Sequence, residues 1–216
     1  MIATSHKLRI DIVSDVVCPW CIIGYRQLEQ ALAETEIPYE LHWHPFELNP
    51  DMPAEGQNLR EHLVEKYGIT TAQSEANRAA ITEAGAMLGF EFCFSDDMRM
   101  HNTFNVHQLL HWADQQGRKH DLKLALFTAH FTHQRNLSDH NTLADIAAEI
   151  GLARDEALVI LADQRFARDV RAAEKFWIDA GIRGVPAIVF NSRHLVTGAQ
   201  GTENYQQILT QLAKES

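Results

Sequence analysis

The chain has 216 residues, 45% of them hydrophobic and 8% aromatic, which is the composition of an ordinary globular protein rather than a disordered or fibrous one. Its 19 basic and 29 acidic side chains give a formal net charge of −10, without a basic run. We therefore expect neither nucleic acid nor a membrane surface as a partner. No apolar stretch approaches the length of a transmembrane helix.

The N-terminal segment predicts no secretory signal, because residues 1–7 lead into alternating strand residues instead of a continuous apolar region. The chain contains three cysteines. That number fits a cytoplasmic protein with one redox pair and one spare thiol better than a secreted fold held by disulfides. The sequence therefore predicts a cytoplasmic location.

The first two elements are a strand and a helix. A strand is predicted near residues 7–14, where Leu8, Ile10 and Ile12 alternate with polar side chains. A helix is predicted from about Ile22 to Glu34, because apolar residues recur there at helical spacing.

Between this strand and this helix lie Cys18, Pro19, Trp20 and Cys21. A CxxC pair at a strand-to-helix junction predicts a thioredoxin-like redox site. One helical turn separates the two sulfurs, and the first lies over the free N–H groups and the positive dipole end of the helix, which favour a thiolate. Cys18 is therefore predicted to be the nucleophile and Cys21 the resolving thiol.

A structural zinc site is the alternative interpretation of the cysteine pair, with His42 and His44 supplying imidazoles from one face of a strand. A second pair of ligands at regular spacing is missing from the sequence. Pro-Trp between the cysteines, directly after a strand, also favours redox use. We therefore predict no metal site.

The next part of the chain changes from strand to helix. Tyr39–Pro45 alternates in the manner of a strand, and the strand–helix–strand order predicts that it pairs in parallel with the first strand. Residues 51–164 then predict an all-helical insertion domain. Within it, Thr70 with Gln73 predicts a capping box, and Asn102 predicts the cap of a later helix.

The C-terminal part completes the first domain. Its predicted elements are a helix over Phe166–Trp177, a short strand over Val185–Phe190, a return strand over His194–Thr197 and a closing helix over Thr202–Leu212. The redox domain is therefore predicted to be discontinuous, formed by residues 1–50 and 165–216.

Pro186 begins the predicted strand of this C-terminal part. A proline at the start of a strand can be a plain edge residue. In a chain with a CPWC turn, however, Gly184, Val185 and Pro186 resemble the cis-proline loop that thioredoxin-like proteins place against their active-site disulfide. We therefore predict a cis bond, with the backbone of Val185 offered to a bound peptide or to glutathione.

Four groups of residues, in their order and separation, carry a family resemblance over nearly the whole chain. They are the run Asp15–Cys21 with Ile23 and Gly24; Gly184–Pro186 with Gly198–Gln200; Asn102, Thr103, Val106, His107 and Leu109; and Leu126, Phe127, Ala129 and Phe131. Together they resemble the DsbA-like superfamily, specifically its FrnE-like branch.

The resemblance implies an α/β, thioredoxin-like fold with a large all-helical insertion. It also implies a thiol–disulfide oxidoreductase site at Cys18 and Cys21, acting on protein thiols and disulfides or on glutathione. No cofactor is implied beyond the redox-active disulfide, with glutathione as a conceivable co-substrate. A homodimer through the helical lobe is expected by family analogy.

The implied substrate contacts surround the cysteine pair. They are Pro19, Trp20, Val185, Pro186 and His107. Trp20 is predicted to lie beside an exposed Cys18 sulfur as apolar substrate surface, or else to belong to the core. It stands where periplasmic DsbA proteins carry histidine, so a less strongly oxidising pair is expected.

Other histidines and the third cysteine are given structural roles. His107 with His111, and His130 with His133, have helical spacing that suits a metal, but neither pair has a glutamate directly after its first histidine. We interpret them as solvated or core histidines, with His107 facing the active-site cleft because of its family match. Cys93 is predicted to be a buried, inert thiol.

Two alternative functions remain open on the sequence. Kappa-class glutathione transferases and hydroxychromene-carboxylate isomerases belong to the same superfamily, but they generally carry serine where Cys18 stands. This chain keeps both cysteines, which disfavours a glutathione-dependent isomerase or transferase without removing it. The other alternative is a holdase-like module that captures unfolded chains in the groove between the two lobes.

Overall fold

The computed structural model describes residues 7–35 and 37–215, so the N-terminal segment on which the prediction of no secretory signal depends lies almost wholly outside it. The strands are β1 Leu8–Ser14, β2 Tyr39–Pro45, β3 Gln57–Asn58, β4 Arg99–Met100, β5 Ala187–Phe190 and β6 His194–Thr197. The helices are α1 Pro19–Thr35, α2 Leu59–Tyr67, α3 Thr71–Met87, α4 Phe104–Gln115, α5 Lys119–Phe131, α6 His140–Glu149, α7 Arg154–Asp163, α8 Ala167–Asp179 and α9 Thr202–Glu215.

The main sheet has four strands in the order β2-β1-β5-β6. β1 and β2 are parallel, with Leu8 opposite Tyr39 and Ser14 opposite Pro45, which confirms the predicted pairing. β5 is antiparallel to both β1 and β6. The first and last parts of the chain therefore meet in the middle of one sheet.

The two faces of the sheet follow from the alternation of side chains along β1. Ile10 and Ile12 are fully buried and belong to one cluster with Leu28 of α1 and Leu209 of α9. Val13 points to the opposite face, where it packs near the C-terminal end of α8. The sheet is thus covered by α1 and α9 on one side and by α8 on the other.

The residues between β2 and α8 form a helical block that also contains the short antiparallel pairing of β3 with β4. Its fully buried side chains include Leu109, Leu126 and Phe127, which belong to the same continuous cluster as the face of the sheet that packs on α1. The block and the sheet therefore share one hydrophobic core. None of the helices within residues 7–35 and 37–215 has the length and hydrophobicity of a membrane-spanning segment.

Two predicted helix caps have different outcomes. The capping box is confirmed, because Thr70 Oγ1 accepts from the Gln73 N–H at 3.2 Å and Gln73 Oε1 accepts from the Thr70 N–H at 2.8 Å. Asn102 is not the N-cap of α4. That position belongs to Thr103, which makes no side-chain cap, while Asn102 Oδ1 accepts from the Phe104 N–H at 2.9 Å and supports the helix from one residue earlier.

Gly24 of α1 lies where the helix approaches the C-terminal part of the sheet. A Cβ atom at this position would lie 3.4 Å from Pro186 Cγ and 3.5 Å from Ala199 Cα. A methyl group is therefore in ordinary van der Waals contact, whereas a larger side chain has no room.

We expect Gly24→Ala to be neutral or slightly stabilising, because alanine favours a helix over glycine, and Gly24→Leu to destabilise the fold by about 1–3 kcal/mol through overpacking. Urea unfolding measures both variants. Ala33→Leu, at an exposed position of the same helix, is the control and should change stability by no more than about 0.5 kcal/mol. A Gly24→Leu variant as stable as the wild type would contradict this close approach.

A pair of buried histidines lies in the helical block. The rings of His101 and His130 are 6.1 Å apart and nearly perpendicular, and their exposed fractions are 5% and 2%. Burial disfavours the charged form and lowers the pKa of His101 to about 4 and that of His130 to about 3. Both imidazoles are therefore neutral in the folded protein at pH 7.

Because an unfolded histidine titrates near pH 6.5, the unfolded chain binds more protons than the folded chain below that pH. The contribution of the two neutral histidines to the free energy of unfolding is therefore complete above about pH 6.5. It is lost as the pH falls towards their pKa values in the folded protein. His130→Gln should therefore flatten the pH dependence of the free energy of unfolding between about pH 6.5 and 4. Unfolding across this range tests it, with the exposed His133→Gln as control; equal slopes in wild type and His130→Gln would refute the assignment.

Candidate active site

The CPWC residues occupy the turn from β1 into α1. The Cys18 N–H donates to the Asp15 carbonyl at 3.3 Å, and the Cys21 N–H donates to the Cys18 carbonyl at 3.1 Å. Pro19 is the first residue of α1. An N–H group at this position has no partner within the helix, so its absence in proline costs no hydrogen bond. Cys18 therefore lies at the N-terminal end of α1 with Cys21 in its first turn, and both are free thiols.

The cis-proline loop faces Cys18. The bond between Val185 and Pro186 is cis, which confirms the prediction. Cys18 Sγ lies 3.6 Å from the Val185 carbonyl oxygen, within hydrogen-bond distance for a thiol. The fold thus brings together Cys18, Cys21, Pro19 and this loop.

The exposure of the two cysteines differs in part from the prediction. Cys21 is fully buried, as expected, but Cys18 is only 5% exposed, so the prediction of an exposed sulfur is wrong. Val185 and the surrounding turn cover much of it. Trp20 is 44% exposed and lies on the surface beside the pair, not in the core.

Burial raises the pKa of the Cys21 thiol well above its ordinary value, and the neighbouring Cys18 sulfur raises it further. The positive charge of Lys123 opposes this increase. Cys21 is therefore a protonated thiol in the resting reduced protein, and any reaction in which it becomes a nucleophile requires its proton to leave.

Lys123 of α5 lies beneath the cysteine pair and was missed by the sequence analysis. It is 1% exposed, donates to the Ser14 carbonyl at 3.3 Å, and its ammonium lies 5.4 Å and 5.2 Å from the ring centroids of Trp43 and Phe127. Burial lowers its pKa to about 8. The signal in the sequence that could have identified Lys123 is its position beside Leu122 on the apolar face of α5.

Asp15 is the second charged group beneath the pair. It is completely buried, and its Oδ2 atom accepts from the Leu48 N–H at 2.8 Å and from Thr103 Oγ1 at 3.2 Å. Burial acts to raise its pKa, but His107, the Leu48 N–H and Lys123 together lower it. Asp15 is therefore held as a carboxylate, and its Oδ1 atom has no hydrogen-bond partner among the described residues.

His107 lies inside this network rather than on an open surface. It is 3% exposed, its Nε2 atom is 3.1 Å from the Phe46 carbonyl oxygen, and the same atom is 3.6 Å from Asp15 Oδ1. The prediction placed His107 in contact with substrate. The structure shows it nearly buried and close to the Asp15 carboxylate, and its contact with substrate stays a prediction.

A second polar cluster adjoins the network at the junction of β2, α4 and α8. Arg171 binds Glu47 and, at 2.9 Å, Glu174, and its guanidinium lies 3.9 Å from the Phe104 ring centroid. Burial raises the pKa of both glutamates. Arg171 and Glu174 are one helical turn apart on α8, whereas Glu47 and Phe104 are distant from them in the sequence, and no sequence signal joined these three segments.

Tyr67, at the end of α2, is another residue that the sequence analysis did not find. It is 57% exposed, and both burial of its hydroxyl and the proximity of Cys18 raise its pKa. Tyr67 and Trp20 therefore present aromatic surface around the nearly covered sulfur.

The residues of the zinc interpretation do not converge. His44 binds Asp11 at 2.7 Å and its ring lies 4.7 Å from that of Trp177, against α8 and away from the cysteine pair. His111 lies 3.9 Å from Asp169. In the described parts of the chain, no three histidine, cysteine, aspartate or glutamate residues form a group that could hold a metal. Cys93 is half-buried rather than buried.

Comparisons with known proteins extend these observations. The uncharacterized protein YwbO of Bacillus subtilis (strain 168) is 24% identical over 210 residues, or 96% of this chain and 98% of that protein. The probable DsbA oxidoreductase SCO1869 from Streptomyces coelicolor is similar in structure, with a TM-score of 0.91, 32% identity and coverage of 97% of this chain and 91% of that one.

A similar fold is found in the cytosolic disulfide reductase DsbM from Pseudomonas aeruginosa, whose structure includes GSH. The TM-score is 0.66 and the sequence identity is 14%, with 95% of this chain and 99% of the DsbM chain covered. The family model for the DsbA-like thioredoxin domain matches residues 9–210 of this chain. The chain therefore belongs to the family of DsbA-like thioredoxin domains.

Proposed function

We propose that the protein is a thiol–disulfide oxidoreductase that uses Cys18 and Cys21 on protein or small-thiol substrates. The observation that carries the proposal is the placement of two free thiols in the first turn of α1, with Cys18 Sγ 3.6 Å from the Val185 carbonyl of the cis-proline loop. Membership of a family that includes oxidoreductases supports it.

The reaction is a two-step exchange. The Cys18 thiolate attacks one sulfur of a substrate disulfide, forms a mixed disulfide and releases the other substrate sulfur as a thiolate that takes up a proton. The Cys21 thiolate then attacks Cys18 Sγ, so that the intramolecular disulfide forms and the second substrate thiolate leaves. Two electrons pass from the cysteine pair to the substrate, and the reverse sequence oxidises a dithiol.

The second step depends on the proton of Cys21. We assign Lys123 the role of stabilising the Cys21 thiolate, because its buried ammonium is the positive charge that lowers the pKa of that thiol. The buried Asp15 carboxylate is the second charged group near the two thiols and keeps their surroundings polar. A cavity of about 200 Å³ adjoins Lys123 and His107 and has room for water, but neither cysteine lines it.

The substrate is proposed to enter beside Trp20 and Tyr67, with Pro19, Val185 and Pro186 holding its backbone. Glutathione is the first small thiol to test, because DsbM was crystallised with GSH. We also propose a cytoplasmic location, in line with the small number of cysteines and with the description of DsbM as cytosolic. A homodimer stays a prediction.

The first experiment traps the intermediates. Wild type, Cys18→Ser and Cys21→Ser are equilibrated in glutathione redox buffers and their free thiols are labelled with a mass tag. We expect a Cys18–Cys21 disulfide in the wild type, and mixed disulfide on Cys18 only in Cys21→Ser, because the resolving thiol is then missing.

Three outcomes would contradict the proposal. The first is the absence of an intramolecular disulfide at every redox poise. The second is full catalytic activity in Cys21→Ser, which favours a glutathione-dependent isomerase or transferase. The third is suppression of aggregation by the double cysteine variant without any thiol exchange, which favours a holdase.

Lys123→Met tests the second step. Removing the buried charge should raise the pKa of Cys21 further, so the resolving step should be slower and should need a higher pH. Reaction with 5,5′-dithiobis(2-nitrobenzoate) in a Cys93→Ala background reports both steps, because attack by Cys18 and resolution by Cys21 each release one coloured thiolate.

The first phase reports the attack by Cys18, and far-UV circular dichroism shows that the variant is folded. Because Lys123 interacts more strongly with Cys21 than with Cys18, the second phase should shift to higher pH by more than the first. Lys175→Met removes an equivalent charge from an exposed position on α8 and is the control. If the second phase of Lys123→Met keeps the pH profile of the wild type, Lys123 has no part in resolution.

A further inference from the structure

A second concave site lies on the face of the sheet away from α1. It is a cavity of about 440 Å³ between α8 and the hairpin of β5 and β6. Its lining is mainly apolar and includes Phe176, Trp177, Val189 and Leu195. Phe176 is 62% exposed and Leu195 is 49% exposed, although both are large apolar side chains.

The register of the sheet explains why this face is open. Asp11 of β1 pairs with Val189 of β5, which pairs with Leu195 of β6, so the three side chains lie in a row on the same face. α8 covers the adjoining part of this face through Trp177. The row therefore forms the floor of a groove of which α8 is one wall.

The acidic group of this cavity is already neutralised. Asp11 is 1% exposed and accepts two hydrogen bonds from Arg9, each 2.8 Å long. His44 lies 2.7 Å from the same carboxylate, and its ring contacts Trp177. Asp11 and Arg9 therefore form a balanced pair that leaves no negative charge facing the cavity.

Arg193 supplies a positive charge that is not balanced. It follows a tight turn at Asn191 and Ser192, both with positive φ, and its own N–H donates to the Phe190 carbonyl at 3.0 Å. Arg193 lines the cavity. Among residues 7–35 and 37–215 it makes no side-chain hydrogen bond or salt bridge.

We propose that this cavity binds a small amphipathic anion, with a flat apolar body of one or two rings against Phe176 and Trp177 and a carboxylate or sulfonate on Arg193. The volume lies in the range of small-molecule sites. A guanidinium binds a carboxylate through two parallel hydrogen bonds, and the aromatic walls suit a flat ring. In a chain with a net charge of −10, this local positive charge selects an anion.

The proposed site is independent of the proposed redox chemistry. The cavity lies across the sheet from α1, and neither Cys18 nor Cys21 lines it. Binding should therefore be the same in Cys18→Ser and Cys21→Ser as in the wild type. If the redox proposal fails, the proposal of an anion-binding cavity is not affected.

The test compares two probes that share one ring system, 2-naphthoate and neutral 2-naphthamide, by isothermal titration calorimetry on the full chain. We expect naphthoate to bind about tenfold more tightly, as for a charge-assisted contact that the amide lacks. Arg193→Gln should abolish this preference and leave the affinity for naphthamide unchanged. Arg168→Gln, at an exposed position of α8 that does not line the cavity, is the matched control and should retain the preference.

Three results would overturn the proposal. The first is equal binding of the two probes. The second is loss of the preference in Arg168→Gln as well, which would indicate a general effect of net charge. The third is a dimer in sedimentation velocity that dissociates in Phe176→Ser, which would make this face an interface between two copies of the chain.

Discussion

The ammonium of Lys123, buried between the helical block and the end of β1, is the interaction on which the candidate site depends. A buried charge is tolerated only when nearby groups compensate for its lost hydration. Here the Ser14 carbonyl, the carboxylate of Asp15 and two aromatic faces provide that compensation. The helical block is therefore not an appendage to the thioredoxin-like part of the chain, because it supplies a charge close to the CPWC turn.

The same junction orders the neighbouring groups. Thr103 and His107 reach Asp15 from α4 and its N-terminal end, and Leu48 reaches it from the segment after β2. Two separate parts of the chain thus converge on one carboxylate. Small changes in the orientation of α4 or α5 alter the electrostatic potential at Cys21 without touching the cysteines.

Local signals in the sequence predicted much of the fold. The parallel pairing of β1 and β2, the helix after the CPWC turn and the capping box at Thr70 follow from residue patterns that act over a few residues. The cis bond before Pro186 was instead expected from the resemblance to the cis-proline loop of thioredoxin-like proteins. The sequence analysis gave no separate element for α2 or α7. α2 buries only Leu59 and His62, and the run Ala157–Leu161 in α7 is too continuously apolar to show a helical period.

The candidate site was predicted less completely. The cysteines are found by type and spacing, and the cis-proline loop is found by family resemblance. Lys123, Tyr67 and the cluster around Arg171 are brought there by tertiary contacts between distant segments. The burial of His107 likewise depends on the packing of the helical block. Three points stay predictions: membership of the FrnE-like branch, the domain boundaries at residues 50 and 165, and the homodimer.

The position of β5 in the sheet has a consequence for synthesis of the chain. β1 pairs on one side with β2, which follows it closely, but on the other side with β5, which leaves the ribosome only after the whole helical block. Pairing of such distant segments requires the closure of a long loop, which slows the completion of the sheet. A nascent chain therefore carries CPWC cysteines while Val185 and Pro186 are still missing, and during that interval its thiols are open to the redox conditions of the compartment in which it is made.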